Sequence, residues 1–303
     1  MGSGRQHVLT RLLPYLLLVL CNLFWAGNWV TGRAVRESFG PVAFNFWRWA
    51  IAILVLAPFV LPKVLRQWPD IRRHWQILAA LAVCGVVMFQ SMIYLGLRST
   101  SAINAVLINS TLPVSMILIS WLILRDTVTV RQLVGLVVSM VGVLVIVTRG
   151  EVTHWEDMRF AMGDFWILLA MPVWALYSVL LRRRPPELGG MTLVLVLAML
   201  GLPLLGLGYA IESIWIPQQM PGLPALAGVL YVGLFASVAA FACWNAAVAA
   251  VGPNVAGFSI HLLPAFGTVL AIAVLGERFE VFHVWGVLGI FAGVAMATLG
   301  KRC

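Results

Sequence analysis

Long apolar runs separated by short polar punctuation dominate the chain. A bilayer-spanning helix needs about 20 mostly apolar residues. Ten runs meet that length: 12–32, 41–62, 75–97, 103–124, 131–149, 163–183, 189–211, 223–248, 254–275 and 281–299. Between them stand Phe39-Gly40-Pro41, Trp68-Pro69-Asp70, Arg125-Asp126, Arg183-Arg184-Pro185-Pro186, Gly252-Pro253 and Gly276-Glu277-Arg278. Clusters of Pro, Gly and charge are turn and helix-end chemistry. The pattern predicts an all-α polytopic membrane protein of ten transmembrane helices, with connections too short for a soluble domain.

Polar residues inside the runs are few and placed unevenly. The first run carries Asn22, Trp25, Asn28 and Trp29, of which 22, 25 and 29 share a helical face. The second has Asn45 and Arg48, and the third Gln90 and Tyr94. The fourth holds Asn109-Ser110-Thr111 before Pro113, and the sixth Trp174, Tyr177 and Ser178 after Pro172. The eighth has Ser237, Trp244 and Asn245, and the ninth Asn254, Ser259 and His261 before Pro264. The fifth and tenth runs differ. Ser139 is the only polar side chain between Leu133 and Val147, and Val284 to Ala297 holds none. Gly135, Gly142, Gly286 and Gly293 give these two runs small-residue faces suited to close packing. Both are expected to be packing helices away from any pathway.

The chain repeats. At a shift of 151, residues 94–148 lie on 245–299 without a gap. Leu112-Pro113 meets Leu263-Pro264, Asp126 meets Glu277, Gly135 meets Gly286, and Gly142-Val143 meets Gly293-Val294. At a shift of 149, Trp25-Ala26 meets Trp174-Ala175. The expected units are 1–149 and 163–303, joined by a loop at 150–162. Five spans are an odd number, so a second copy in the same chain must sit upside down. Two inverted five-helix repeats are an architecture of secondary transporters, with a binding site near the midplane.

Composition and charge narrow the classes. The 303 residues are 62% hydrophobic and 10% charged, against about 45–50% and 25% in soluble domains. The net charge of +9 comes from basic residues between the runs. Thirteen lie on the N-terminal side and six on the other, and Arg48 completes the twenty. The positive-inside rule then puts both termini in the cytoplasm and the chain in the plasma (cell inner) membrane. No basic face suits nucleic acid. Cys21, Cys84, Cys243 and Cys303 lack paired spacing. The first run has no small-residue cleavage site and reads as a retained helix. No GxSxG, HExxH or phosphate loop is present. The expectation is a non-enzyme with no cofactor and no metal. Asp164 and Glu212 fall at run ends and no carboxylate sits mid-run, which argues against a strong proton-coupled pump and against cationic substrates.

Pro113 and Pro264 each remove a backbone donor, freeing the carbonyls of Asn109 and Ile260. Such breaks are tolerated in membranes where neighbours satisfy the freed groups, and both are candidate hinges. Arg48 lies about 10 Å inside its helix at 1.5 Å per residue. It is suited either to a substrate carboxylate or to carbonyls of neighbouring helices. His261 is either a proton carrier or a neutral hydrogen-bond partner. Trp68, Trp75, Trp155, Trp166 and Trp215 fit an interfacial belt, whereas Trp25, Trp174 and Trp244 fit a cavity. The full cavity set is Trp25, Asn28, Arg48, Gln90, Tyr94, Asn109, Ser110, Trp174, Tyr177, Ser178, Trp244, Asn245, Ser259 and His261.

Leu23-Phe24-Trp25-Ala26-Gly27-Asn28-Trp29-Val30 resembles the first-helix signature of the EamA-type drug/metabolite transporters. Arg48 in Phe46-Trp47-Arg48-Trp49 matches that family's second-helix arginine. Leu275-Gly276-Glu277-Arg278 with Gly286 and Gly293 resembles the end of its repeat. Leu124-Arg125-Asp126 with Gly135 and Gly142 does the same in the first half, with Asp for Glu. Within the family the chain looks most like the YddG-type aromatic amino-acid exporters. The resemblance implies a central cavity lined by runs 1, 3, 4, 6, 8 and 9, and export from the cytoplasm. The expected function is a facilitative, alternating-access exporter of neutral amino acids, chiefly Phe, Tyr and Trp, and also Met. Its partners are that small-molecule substrate and the bilayer, and the oligomeric state is not legible. One alternative is export of other small neutral metabolites or drugs. Another, of a different class, is a membrane-embedded lipid-modifying enzyme.

Overall fold

A computed structural model describes residues 2–100, 102–148, 150, 161–216, 221–275 and 280–298. Every regular element among them is helical. Nine helical stretches among the described residues are long and apolar enough to cross a bilayer. The ninth of the ten expected runs is the exception. It is helical but broken into α13 (Pro253–Phe258), a 3-10 turn (Ser259–His261) and α14 (Leu262–Leu275). Of the loop expected at 150–162, residues 151–160 lie outside the described residues, as do Gly276, Glu277 and Arg278.

The chain begins with α1 (Gly2–Ala34) and α2 (Pro41–Arg66). Proline opens α2, where its missing donor costs nothing. The next backbone donors, Val42 and Ala43, are accepted by the Glu212 carboxylate at 3.0 and 2.8 Å. A residue 170 positions away in sequence thus caps this helix, as an anion at a positive helix terminus should. Trp68-Pro69-Asp70, expected as a turn, opens the short helix α3 (Trp68–Arg73). Proline near a helix start fits the helical φ and withdraws no needed donor.

The third span runs through α4 (Trp75–Ala82), a π-helical stretch (Val83–Met88) and α5 (Phe89–Ser99). The eighth has the same build: α11 (Leu223–Tyr231), a π stretch (Val232–Ala239) and α12 (Ala240–Val251). The π stretches begin at 83 and 232, which are 149 apart. The fourth span is α6 (Ala102–Asn109) and α7 (Leu112–Leu124), interrupted before Pro113. The remaining helices are α8 (Val130–Val147), α9 (Met162–Leu180), α10 (Gly190–Trp215) and α15 (Val281–Thr298). Asp164 in the first turn of α9 accepts from Ala161 N at 2.7 Å, from Asn104 Nδ2 at 2.9 Å and from the Thr100 hydroxyl. The start of α9 is thereby tied to the connection between α5 and α6.

The helices pair reciprocally: α1 with α12, α5 with α9, α2 with α10 and α8 with α15. One buried cluster joins α1, α2, α5, α9, α10 and α12. At the α8–α15 contact the glycines bring backbone onto backbone. A Cβ on Gly135 would lie 2.6 Å from Gly293 O, and one on Gly293 would lie 2.5 Å from Gly135 O. Gly142 and Gly286 face each other in the same way, at 2.7 and 2.9 Å.

Candidate functional site

An aromatic cluster fills the meeting place of α1, α9 and α12. Trp25 stands edge-on to Trp174, centroids 5.2 Å apart at 87°, and 5.3 Å from Trp244. Trp174 packs on Tyr177 at 4.8 Å and on Phe89 at 4.6 Å, and Phe241 closes on Trp25, Trp174 and Tyr177. Edge-to-face and offset pairs at such distances contribute about 0.5–1.5 kcal/mol each beyond area burial. The polar handles are mostly placed. Trp25 Nε1 donates to Ala236 O in the second π stretch at 3.1 Å, and Trp244 Nε1 to Ser178 Oγ at 3.2 Å. The Tyr177 hydroxyl donates to Asn245 Oδ1 at 2.6 Å. Trp174 Nε1 and Asn245 Nδ2 have no partner among the described residues.

Beside this cluster Arg48 is fully buried, 0% exposed. Its Nε donates to Ser237 Oγ at 2.7 Å, and Ser237 donates on to Val232 O at 2.9 Å. Its Nη1 donates to Tyr94 Oη at 2.8 Å, and Tyr94 donates on to Asn28 Oδ1 at 2.7 Å. Both chains point their protons away from the guanidinium, so its charge polarises and strengthens them. Ser237 meets a carbonyl in one π stretch, and Asn45 Nδ2 donates at 2.9 Å to Val86 O in the other. Freed carbonyls in π turns need such donors, and π turns gather at functional sites. A cleft lined by Gly32, Val35, Arg36, Phe44, Tyr94 and Arg98 opens above Tyr94. Its cavity volume is about 10 Å³, room for about one water molecule and far below the ~300–1,000 Å³ of pockets that take drug-sized ligands.

A third group joins the two broken spans. Near Pro113 the backbone shifts to short-range bonds: Thr111 N donates to Ile108 O, and Val114 N to Thr111 O, both at 3.0 Å. The Ser110 carbonyl would bond Val114 N in a continuous helix; here it faces His261 Nε2 at 3.0 Å. A carbonyl only accepts, so Nε2–H donates. Nδ1 of a neutral ring then accepts from Ser139 Oγ, 2.5 Å away, a hydroxyl whose alternative acceptor is Leu136 O at 3.0 Å. His261 therefore caps the carbonyl that the break in the fourth span exposes. The fifth run does more than pack: Ser139 on α8 holds the histidine. That serine's isolation in an otherwise apolar run was the signal.

The expected cavity residues thus fall into sets. Trp25, Trp174, Tyr177, Ser178, Trp244 and Asn245 come together, as do Asn28, Arg48 and Tyr94, and Ser110 with His261. Ser259 Oγ accepts from Asn22 Nδ2 at 3.0 Å. Gln90 and Asn109 are buried but join none of these networks. Trp49 and Phe241, not expected in the site, bridge Arg48 to the cluster: the guanidinium lies 5.5 Å over the Trp49 ring, which meets Phe241 edge-on at 5.0 Å.

A model of the EamA-like transporter family matches residues 12–148 and again 161–299. The chain belongs to the EamA-like transporter family. Among EamA relatives it is 24% identical over 289 residues to "Uncharacterized transporter YyaM" of Bacillus subtilis, covering 94% of this chain and 93% of the relative. It is 26% identical over 284 residues to an "Uncharacterized transporter" of Archaeoglobus fulgidus, covering 94% and 96%. A solved structure described as "Crystal structure of protein" superposes with a TM-score of 0.74 at 18% identity, covering 94% of this chain and 96% of that one. Membership of the EamA family and the nine apolar helices among the described residues make this a multi-pass membrane transporter of small molecules.

Proposed function

We propose that the chain exports amino acids with bulky apolar side chains, chiefly phenylalanine, tyrosine and tryptophan, and also methionine. The route is a central site between two five-span repeats inverted with respect to each other, in the plasma membrane with both termini cytoplasmic. The repeats alternate access by rocking, with the breaks at Pro113 and Pro264 as hinges. Transport is facilitative: it follows the cytoplasmic amino-acid gradient and needs no carboxylate relay.

The observation that carries this reading is Trp25 against Trp174. These residues correspond under the repeat and touch at 5.2 Å. In an arrangement with twofold symmetry, a residue that touches its own counterpart lies beside the axis. The axis between repeats is where inverted-repeat transporters hold substrate. Here that place is filled by indole, phenol and phenyl rings, whose surfaces suit an aromatic or bulky apolar side chain. The reciprocal contacts of Gly135 with Gly293 and Gly142 with Gly286 support the same axis, since each residue of one half meets the other's counterpart.

Purified protein in liposomes loaded with labelled phenylalanine is expected to release it faster than protein-free liposomes. Release should be unaffected by a pH gradient and slowed by unlabelled tryptophan or methionine. Correctly inserted protein that moves none of these amino acids would sink the reading. A substrate panel of neutral metabolites would then identify the cargo.

A further inference from the structure

We infer that Arg48 is the seat of the substrate's carboxylate, so that cargo must carry that group. This rests on the transport reading above. Arg48 sits within α2, fully buried, and no carboxylate pairs with it among the described residues. Its bonds are to the neutral hydroxyls of Ser237 and Tyr94. A buried cation with neutral partners only is expensive, and proteins normally pair it with an anion. Among the described residues Nη2 has no acceptor. Ser237 and Tyr94 therefore fix the plane of the guanidinium while one of its corners stays unbound. A planar fork held this way matches the two oxygens of a carboxylate.

The surroundings agree in three respects. The neighbouring Trp49 Nε1 also lacks an acceptor among the described residues, adding a second unsatisfied donor next to the first in sequence. The Trp49 ring continues through Phe241 to Trp174, so the cationic head borders an aromatic bed. An α-carboxylate with a bulky apolar side chain has that division of polarity. Finally, the cleft that Tyr94 shares carries Arg36 and Arg98 among its lining residues. Even with Glu37 3.9 Å from Arg36, the approach keeps an excess of positive charge, which raises the local concentration of anions. In this conformation the rings of the bed fill their own space, so a ligand enters by displacing them.

The test separates carboxylate recognition from a clamp that merely holds helices. Wild-type proteoliposomes moving labelled phenylalanine are challenged with phenylalanine, 3-phenylpropionate (acid only), phenylalaninamide and phenethylamine (amine only). Phenylalanine and phenylpropionate are expected to compete, and the amide and amine to be at least about tenfold weaker. Competition by phenylalanine but not phenylpropionate would narrow the cargo to zwitterions with the seat intact. Equal competition by all four overturns the proposal. Arg48→Gln is expected to raise the KM for phenylalanine about 10- to 100-fold and to erase the acid-over-amide preference, with Arg48→Lys retaining part of both. A purely structural arginine would lower the amount of folded protein but leave the preference unchanged. If Arg48→Gln does not fold, the wild-type series still decides. If phenylalanine is not transported at all, thermal stabilisation of purified protein by phenylpropionate, but not by phenethylamine, would keep the seat while the export reading fails. Stabilisation by neither would end both.

Discussion

The α8–α15 contact allows an overpacking experiment with a built-in control. A Cβ on Gly142 would lie 2.6 Å from Ile290 N and 2.7 Å from Gly286 O. Both are backbone atoms, so no side chain can turn aside, and the helices must part. Overpacking of this kind costs about 1–3 kcal/mol. Alanine recovers up to ~1 kcal/mol in helix propensity, leaving Gly142→Ala less stable than wild type by about 0–2 kcal/mol and less stable by about 1–3 kcal/mol than an alanine substitution that gains the propensity without the clash. At roughly 2 °C per kcal/mol for a large domain, its Tm should lie about 2–6 °C below that of such a control, read by tryptophan fluorescence of purified protein in detergent. Gly206→Ala is the control: its nearest neighbour is the Phe46 ring at 3.4 Å, an ordinary contact, so no loss is expected. Gly135→Ala and Gly293→Ala strain one shared contact, and parting the helices for the first relieves the second. Their double mutant should therefore fall short of additivity by about 1 kcal/mol. A Gly142→Ala protein as stable as the Gly206→Ala control, or strict additivity of the pair, would refute the backbone-contact account.

Three other outcomes follow from bonds already described. Glu212→Ala removes the acceptor for both Val42 N and Ala43 N, so the Tm should drop by an amount equal to about 1–2 kcal/mol, whereas Glu212→Gln, which keeps one acceptor oxygen, should lose about half as much. His261→Ala leaves Ser110 O and Ser139 Oγ without the ring and should cost about 1–3 kcal/mol, measured in the same unfolding assay. Pro113→Ala and Pro264→Ala should change liposome transport rates several-fold while moving the Tm by about 2 °C or less; unchanged rates in both variants remove the hinge idea.

Much of the fold could be read from the chain because a bilayer sets the length of an apolar helix, and Pro and Gly mark its ends. The break before Pro113 was readable for the same reason, since proline lacks a donor wherever it stands. The π stretches were not. Val83 to Met88 contains no proline and reads as an ordinary apolar helix. Its register follows from packing between distant spans: a Cβ on Gly85 would strike the Tyr177 ring at 2.6 Å, and one on Gly233 would lie 3.1 Å from Arg48 O. Partnerships were illegible too. Arg48 was readable as a buried cation, but Ser237 and Tyr94 reach it from other spans. Glu212 was readable as a helix-end residue, yet the helix it caps is α2 and not its own.

The His261–Ser139 bond makes the two halves unequal at a defined place. Under the shift of 151, His261 corresponds to Ser110 and Ser139 to Ile290. The counterpart of this bond would join Ser110 to Ile290, whose side chain has no polar atom. If the repeats rock as proposed between two twofold-related arrangements, identical halves would populate them equally. The arrangement in the structure holds this bond, and its twofold counterpart, Ser110 to Ile290, cannot form. Hydrogen bonds between membrane helices contribute about 0.6–1.7 kcal/mol, equivalent to a bias of roughly 3- to 20-fold. Ser139→Ala deletes the bond while adding no bulk. In a background with Cys21, Cys84, Cys243 and Cys303 replaced, a cysteine at Val35 in the cleft reports how often that side is open. Its alkylation rate by a membrane-impermeant reagent should shift by that factor in Ser139→Ala relative to Ser139. An unchanged rate would mean that the bond persists in both arrangements, and the preferred direction of transport would have to arise elsewhere in the chain.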